Sequence, residues 1–329
     1  MSIYKRLCHL TIAFGVSAAA HSQDGQLSQY EAAPVLLNPA LTGMYENAEF
    51  RMACNVRSQW TSLSSNFLTT AFAYDLSFQK RFGAGMYLTN YNMAGIVNTF
   101  QAGASGAYNV FDPKGHHTLS AGVQLGLVYK KINDQQLVWD AQYSNGNFDS
   151  DLPSGENLQR GARLMPDVSL GIAYRSTSPR AAVKPFANVA LFHVTTPDES
   201  ILRSTKSDLP IRYSINAGLR VNINEQFVLI PQALGMRQGA DQQIHAGMLA
   251  EFVIGGSVYS ALCGASYRVD DAVVAHVGLK HKNSAYRFSY DVNTSPLRSY
   301  SRSNGAFEFS IVYYGTHAGR ERRLVSNAF

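Results

Sequence analysis

The chain has 329 residues, a formal net charge of +5 and a mean hydropathy of −0.13. A charge this weak does not support nucleic-acid binding, because such proteins carry dense basic patches. The three cysteines form no C-x-x-C pair, which argues against a zinc ribbon and against a disulfide-rich secreted fold.

Residues 1–22 have the layout of a cleaved secretory signal peptide. Lys5 and Arg6 precede an apolar stretch from Leu7 to Val16, and Ala20-His21-Ser22 offers a small-x-small cleavage site. The apolar stretch is too short to cross a bilayer as a helix. We therefore expect an exported mature chain that starts near Gln23.

Residues 23–48 are not expected to form strands. Pro34 and Pro39 interrupt them, and proline lacks the amide donor that a sheet ladder needs. Several apolar side chains in this segment could be buried: Leu27, Tyr30, Val35, Leu36 and Leu37. We predict that the segment plugs the lumen of the barrel predicted from the residues that follow. The alternative is a mobile periplasmic leader.

Residues 49–314 alternate between apolar and polar side chains. From Thr118 to Tyr129, for example, one face carries Leu119, Val123, Leu125 and Leu127, and the other carries Ser120, Gly122, Gln124 and Gly126. This period of two predicts strands with one apolar and one polar face, and about ten residues cross a bilayer when tilted. The segments are 49–60, 67–77, 81–91, 98–110, 117–130, 166–175, 184–194, 210–221, 226–234, 243–253, 257–268, 272–280, 285–292 and 305–314. The predicted fold is all-β, a single transmembrane antiparallel β-barrel of about fourteen strands.

The connections between these segments fall into a short set and a long set. Outer-membrane barrels have short periplasmic turns and longer outer loops, so the long connections 131–165, 195–209 and 293–304 are placed outside. An even strand number then puts both ends of the barrel on the periplasmic side. The short connection 269–271 is an exception on the outer side.

The longest loop is the best candidate for a partner-binding surface. Trp139, Tyr143 and Phe148 offer aromatic anchors of the kind found at interface hot spots, although packing within the loop explains them as well. The same loop has oxygen ligands at alternate positions, namely Asn145, Asn147, Asp149 and Asp151. The glycine of a calcium-binding EF-hand loop is missing, so we expect no metal and no cofactor.

Residues 315–329 form the predicted periplasmic tail. They include the basic stretch Gly319 to Arg323. A solvated end explains this composition better than a contact with a partner or with lipid head groups does.

Three stretches together resemble the PorP/SprF family of outer-membrane proteins of type IX secretion and gliding motility. They are Gln26-Leu27-Ser28-Gln29-Tyr30 with Leu37-Asn38-Pro39-Ala40 and Gly43; Arg57-Ser58-Gln59-Trp60; and Ser289 to Ser295 with Gly305-Ala306-Phe307-Glu308. The resemblance implies a barrel in the cell outer membrane that works with type IX components or with a secreted adhesin. It does not separate the PorP-like branch from the SprF-like branch, and the sequence carries no signal for an oligomeric state.

The leading hypothesis is therefore a non-enzymatic component of type IX secretion that acts by scaffolded binding. The sequence carries no nucleophile elbow, zinc-protease pair, P-loop or dinucleotide fingerprint. The alternative is a passive channel or a FadL-like transporter of hydrophobic compounds, because the first segment loosely resembles the FadL hatch. Lumen-face charges such as Arg51, His245, Glu251 and Glu308 are interpreted mainly as structural.

Overall fold

The computed structural model describes residues 24–60, 67–79, 81–111, 116–133, 137, 140–144, 147–153, 161–200, 206–255, 258–296 and 298–316. The predicted signal peptide, Trp139, Asn145 and most of the predicted tail lie outside these ranges. Sixteen strands occur in the described chain: β1 (Phe50–Gln59), β2 (Phe67–Phe78), β3 (Phe82–Met93), β4 (Val97–Phe111), β5 (His117–Ile132), β6 (Tyr143–Ser144), β7 (Asn147–Phe148), β8 (Ala162–Ser176), β9 (Val183–Phe192), β10 (Arg212–Asn222), β11 (Phe227–Gln238), β12 (Asp241–Val253), β13 (Tyr259–Arg268), β14 (Ala272–His281), β15 (Ser284–Asn293) and β16 (Asn304–Gly315).

Fourteen of these strands form one closed antiparallel barrel. Neighbours in sequence pair with each other, except that β5 pairs directly with β8, and β6 and β7 form a separate hairpin in the loop between them. The barrel closes where β1 pairs with β16, from Phe50 opposite Gly315 to Gln59 opposite Ala306. The predicted fold is confirmed, and each of the fourteen predicted segments overlaps one barrel strand.

The two faces of the barrel differ as the alternation predicts. In β1, Arg51 and Arg57 are buried on the lumen side, whereas Met52 and Val56 are 37% and 40% exposed on the outside. An apolar outer face suits lipid, and closing the sheet satisfies every strand edge, which a bilayer requires. Cys54 and Cys263 are free and exposed on the outer face, so no disulfide joins them.

The barrel has a turn end, where Phe50 and Gly315 lie, and a loop end opposite to it. Three connections at the loop end are as short as turns, at 94–96, 239–240 and 269–271. The alternation predicts a short connection only at 269–271. The reason is that β3, β4, β11 and β12 run one to four residues further than the alternation indicated.

Pro231 lies inside β11, although proline lacks the amide donor that a sheet ladder needs. It pairs with Met248 of β12. On the opposite edge, pairing with β10 runs from Arg212 to Gly218 and resumes only at Val221 opposite Leu229. The proline therefore sits in an interruption of the ladder, where its missing amide hydrogen leaves no partner unsatisfied.

The helices of the described chain are short: Tyr30–Ala32, Pro34–Leu37, Pro39–Leu41, Asp140–Gln142 and Arg298–Ser301. None of the described helices has the length and apolar character needed to cross a membrane.

Candidate functional site

The first segment, residues 24–48, lies inside the barrel and contacts strands all around it. Its three short helices stack one after another between the walls. Ala32 and Val35 pack with Ala53 of β1 and Tyr87 of β3. On another side, the Gln124 side chain of β5 donates to the Val35 carbonyl at 2.6 Å. The lumen is thus filled by the chain itself.

The strongest attachment joins residues 28 and 29 to β16. The Glu308 carboxylate accepts hydrogen bonds from the amides of Ser28 and Gln29, at 2.6 and 3.1 Å. The Gln29 side chain donates to Ser289 Oγ and to the Glu308 carbonyl, both at 3.0 Å, and it accepts from Ser310 Oγ at 2.6 Å. All these groups are buried, so each hydrogen bond gives a donor or an acceptor the partner that water would otherwise supply.

A buried charge cluster lies beside this attachment. Asp291 accepts from Arg57 Nη2 at 2.8 Å and from Arg268 Nη2 at 2.7 Å. The Ser28 hydroxyl lies 2.9 Å from both Asp291 oxygens, and Arg57 Nη1 and Arg268 Nη1 both donate to it. Arg57 Nη1 is also 3.5 Å from Glu308. Two cations, two anions and a hydroxyl therefore hold the segment where β1, β13, β15 and β16 meet it.

The structure brings parts of the three resemblance stretches into this one cluster. Ser28 and Gln29 come from the first stretch, Arg57 from the second, and Asp291 and Glu308 from the third. Other motif residues lie elsewhere. Gln26 lines a cavity at the loop end. Gln59 is at the end of β1, opposite Phe67 and Ala306. The Trp60 ring meets the Phe67 ring edge-on, with centroids 4.8 Å apart.

Tyr30 packs on the wall rather than joining the charge cluster. Its ring meets His245 of β12 edge-on, with centroids 5.2 Å apart. Burial, followed by the nearby Glu31 carboxylate, raises the pKa of the Tyr30 phenol above its ordinary value. The phenol is therefore neutral throughout the physiological range.

Asn38, Pro39 and Ala40 form a second attachment, to β5, β8 and β9. Asn38 Nδ2 donates to the carbonyls of Ile172 and Val189, at 3.1 and 2.9 Å. Asn38 Oδ1 accepts from the Ala40 amide at 2.8 Å, which caps the helix that follows. Close approach is possible because Gly122 of β5 has no side chain: a Cβ there would overlap the Pro39 carbonyl.

Gly43 belongs to a third attachment, near the turn end. Its amide donates to Asp75 Oδ2 at 2.6 Å. Arg51 binds the same carboxylate through Nε and Nη2, at 3.0 and 2.8 Å, and also donates to the Leu41 carbonyl at 3.0 Å. Bidentate pairing of this kind fixes orientation as well as charge.

Asp24 anchors the start of the described segment at the loop end. Its carboxylate lies 2.7 Å from His193 Nε2 and 2.8 Å from Arg212 Nη1. His193 Nδ1 is 3.0 Å from Asp167. Burial alone lowers the His193 pKa, but the Asp24 and Asp167 carboxylates outweigh it and raise that pKa to about 9. Burial raises the Asp24 pKa, and the two cations outweigh this and hold it below its usual range.

Two largely apolar cavities remain beside the segment. The inner cavity lies in the turn-end half of the lumen between residues 31–44 and strands β8 to β12, and it measures about 700 Å³ when the solvent space that opens into it is counted. The outer cavity, of about 500 Å³ on the same measure, lies in the loop-end half and is lined by Tyr91, Phe192 and Met236 among others. Leu37 lines both cavities, so the segment separates them.

Tyr143 and Phe148, the described members of the partner-loop candidates, lie on the β6–β7 hairpin. Their rings touch, with centroids 5.7 Å apart, and yet remain 53% and 46% exposed. Packing within the loop and exposure to a partner therefore occur together. Among the described residues, no group of three or more His, Cys, Asp or Glu side chains could hold a metal ion.

Sequence reasoning missed several groups that hold the segment, above all Asp75, Arg268, His193 and Asp167. Asp75 and Arg268 carry charge at positions whose parity faces the lumen, and this signal was available in the sequence. His193 lies within the predicted segment 184–194, but β9 ends at Phe192, so the alternation does not place the His193 side chain.

Fold and site together define a class of protein: an outer-membrane β-barrel whose lumen is filled by its own N-terminal segment. Within that class, the chain belongs to the PorP/SprF family, because the family profile for "Type IX secretion system membrane protein PorP/SprF" matches residues 19–313. No curated protein sequence matches the chain.

Solved structures with the same fold include hydrocarbon channels and transporters. A TodX deltaS2S3 mutant, described as a monoaromatic hydrocarbon channel, has a TM-score of 0.55 at 10% identity, covering 86% of this chain and 94% of that one. The toluene transporters TodX of Pseudomonas putida and TbuX of Ralstonia pickettii score 0.51 and 0.50, at 11% and 12% identity. They cover 89% and 87% of this chain, and in each case 94% of their own. At these identities the likeness shows the shared fold alone.

Proposed function

We propose that this chain is a non-enzymatic component of the type IX secretion system that supports the secretion or surface attachment of partner proteins by scaffolded binding. The observation that carries the proposal, beside the family, is the filled lumen. Residues 24–45 are tied to opposite walls by buried ion pairs and hydrogen bonds. A barrel filled in this way is suited to binding at its two ends rather than to passing a polypeptide through its centre.

The two ends would then face different partners. After removal of residues 1–22, the loop end would face outside and meet a secreted protein such as an adhesin. The turn end would face the periplasm and the secretion machinery. Tyr143 and Phe148 support the loop-end role, because exposed aromatic side chains dominate many binding interfaces.

The test combines a loop-end variant with a turn-end control. We expect Tyr143→Ser with Phe148→Ser to lower co-purification of type IX cargo by about tenfold or more, since hot-spot side chains contribute about 2 kcal/mol or more. The control, Ile223→Ser, changes an apolar side chain that is 54% exposed in a turn at the other end. Heat-modifiable mobility on gels checks that both barrels fold.

The proposal is refuted if a strain lacking the gene delivers every type IX substrate to its surface normally. If the strain lacking the gene loses delivery but a strain carrying the loop-end variant keeps it, the partner surface lies at residues other than Tyr143 and Phe148.

A second candidate is a passive channel or a transporter of hydrophobic compounds. The two apolar cavities on either side of Leu37 favour it. If transport is the role, purified protein in planar bilayers should conduct ions, or vesicles containing it should take up a small aromatic compound. Co-purification of secretion proteins with an electrically silent barrel would favour the first proposal.

A further inference from the structure

We propose that the inner cavity is a binding site for an amphiphile with one hydrocarbon chain and an anionic head group. The inference rests on the cavity and its rim, and it does not depend on the role in secretion.

The body of the cavity is suited to a hydrocarbon chain. Pro34, Leu37, Leu41 and Met44 line it from the segment, and Phe186, Ile230 and Leu249 line it from the wall. Filling it with hydrocarbon would remove apolar surface from water.

Most polar groups that line the cavity already have protein partners. Asn188 Nδ2 donates to Asn216 Oδ1 at 2.9 Å, and Asn216 Nδ2 donates to the Ala233 carbonyl at 3.0 Å. Glu31 is paired with Arg287 at 2.7 Å, and Arg51 is paired with Asp75. These groups therefore need no polar atom from a ligand, which favours an apolar chain over a sugar or a peptide backbone.

Arg175, at the turn-end rim of the cavity, is within the described chain a charged lining group with an unused donor. Its Nη1 donates to the Met44 carbonyl at 3.3 Å, while its buried Nε has no hydrogen-bond partner among the described residues. The guanidinium thus retains donor capacity beside an apolar chamber. A carboxylate or phosphate is the group that such a fork binds best.

A smaller adjoining pocket of about 320 Å³ shares Arg175 and Phe186 with the inner cavity. Lys184 and Arg220 also line this pocket, together with one carboxylate, Glu46. Arg220 also lies 3.7 Å from the Glu251 carboxylate, so three cations face two anions and the rim keeps a positive excess of one charge. An apolar chamber that opens onto a positive rim matches a hydrocarbon chain that ends in an anion.

The test uses four ligands with the same twelve-carbon chain and different heads, added to the intact protein in a maltoside detergent and followed by native mass spectrometry. Dodecanoate and dodecyl phosphate carry anionic heads, and dodecanol and dodecyltrimethylammonium are the neutral and cationic controls. We expect one anionic ligand per barrel, bound about tenfold more tightly than dodecanol. The tighter of the two anions identifies a fatty acid or a phosphate-headed lipid as the source.

Two variants and one control locate the site. Arg175→Gln should weaken the anionic ligands about tenfold and leave dodecanol unchanged, whereas Leu249→Trp should block all four by filling the chamber. Arg180→Gln removes an exposed arginine from a nearby turn and should change nothing. Equal binding of dodecanol and dodecanoate, or binding unaffected by Arg175→Gln or by Leu249→Trp, would overturn the proposal.

Discussion

The two sides of the lumen are built differently. Strands β2 and β16 hold the first segment through the buried carboxylates of Asp75 and Glu308, which bind its backbone amides directly. The neighbouring strands β1 and β15 add Arg57 and Asp291, which bind the Ser28 hydroxyl. Strands β10, β11 and β12 face the cavities, and their polar side chains bond largely to the wall itself, as Asn216 bonds to Ala233. The segment is held on both sides, through Asn38 at β8 and β9 and through Asp24 at Arg212 as well, but the cavities lie mainly beside the second group of strands.

Because of this difference, the attachment of the segment and the binding of a ligand can be tested separately. The charge cluster of Arg57, Asp291 and Glu308, which holds the segment, lies on strands β1, β15 and β16, whereas the room for a ligand depends on apolar side chains of β9 to β12. Variants can therefore loosen the segment without changing the cavity lining on the wall, or fill the cavity without breaking an ion pair.

The largest expected effect comes from breaking this charge cluster. Asp291→Ala leaves Arg57 and Arg268 buried without the carboxylate they share. Removing one partner of a buried ion pair costs about 3–5 kcal/mol, because the remaining charge stays out of water. We expect the urea midpoint for unfolding of the purified barrel to fall accordingly.

Glu225→Ala is the matched control for this carboxylate, since Glu225 is exposed in a turn. It should change the free energy of unfolding by no more than about 0.5 kcal/mol. Similar midpoints for the two variants would mean that the cluster does not stabilise the fold.

A smaller loss of stability should follow from adding a side chain where the segment packs against β5. Gly122→Ala places a Cβ against the Pro39 carbonyl, whereas Gly235→Ala places one in open space on the outer face of β11. Overpacking of this kind costs about 1–3 kcal/mol. Hydrogen exchange should become faster in residues 38–44 of the Gly122 variant and remain unchanged in the Gly235 variant. Equal exchange in the two variants would show that the segment does not need the glycine.

The sequence predicts the strands of the barrel wall far better than it predicts the contacts of the first segment inside the lumen. Alternation from Leu119 to Tyr129 decides which side chains face lipid, because each strand residue reports its own face. It also places Arg57 and Glu308 on the lumen side. That these two lie directly opposite each other follows only from the register of the closing pair β1 and β16.

Registers of this kind join residues that are far apart in the chain. Arg57 and Glu308 are separated by 251 positions, and Ser28 and Asp291 by 263. No turn fixes such a register, so the contacts of the segment could not be read from local patterns. Hairpin partners are different: Arg51 lies opposite Asp75 in adjacent strands, and that pair was within reach of sequence reasoning.

The smallest expected effect concerns the loop-end start of the segment and its dependence on pH. The His193 pKa is raised from 6.5 to about 9 in the folded barrel, so the ion pair with Asp24 contributes fully below about pH 6.5 and is lost as the pH rises through about 9. Asp24 stays charged over this range, because its own pKa is lowered. We expect protection from hydrogen exchange in residues 24–27 to fall about fivefold between pH 6 and pH 10, which is about 1 kcal/mol.

The loss stays this small because Arg212 still holds Asp24 at 2.8 Å when His193 is neutral. Residues 38–44, which are held by Asn38 and by the Asp75 carboxylate, should keep their protection across the same range. His193→Gln should remove the pH dependence at residues 24–27 and leave residues 38–44 as they are. If the Gln variant keeps the pH dependence, another group titrates there. If residues 24–27 lose protection while residues 38–44 keep it, the attachments of the segment act independently, as their separate positions along the lumen imply.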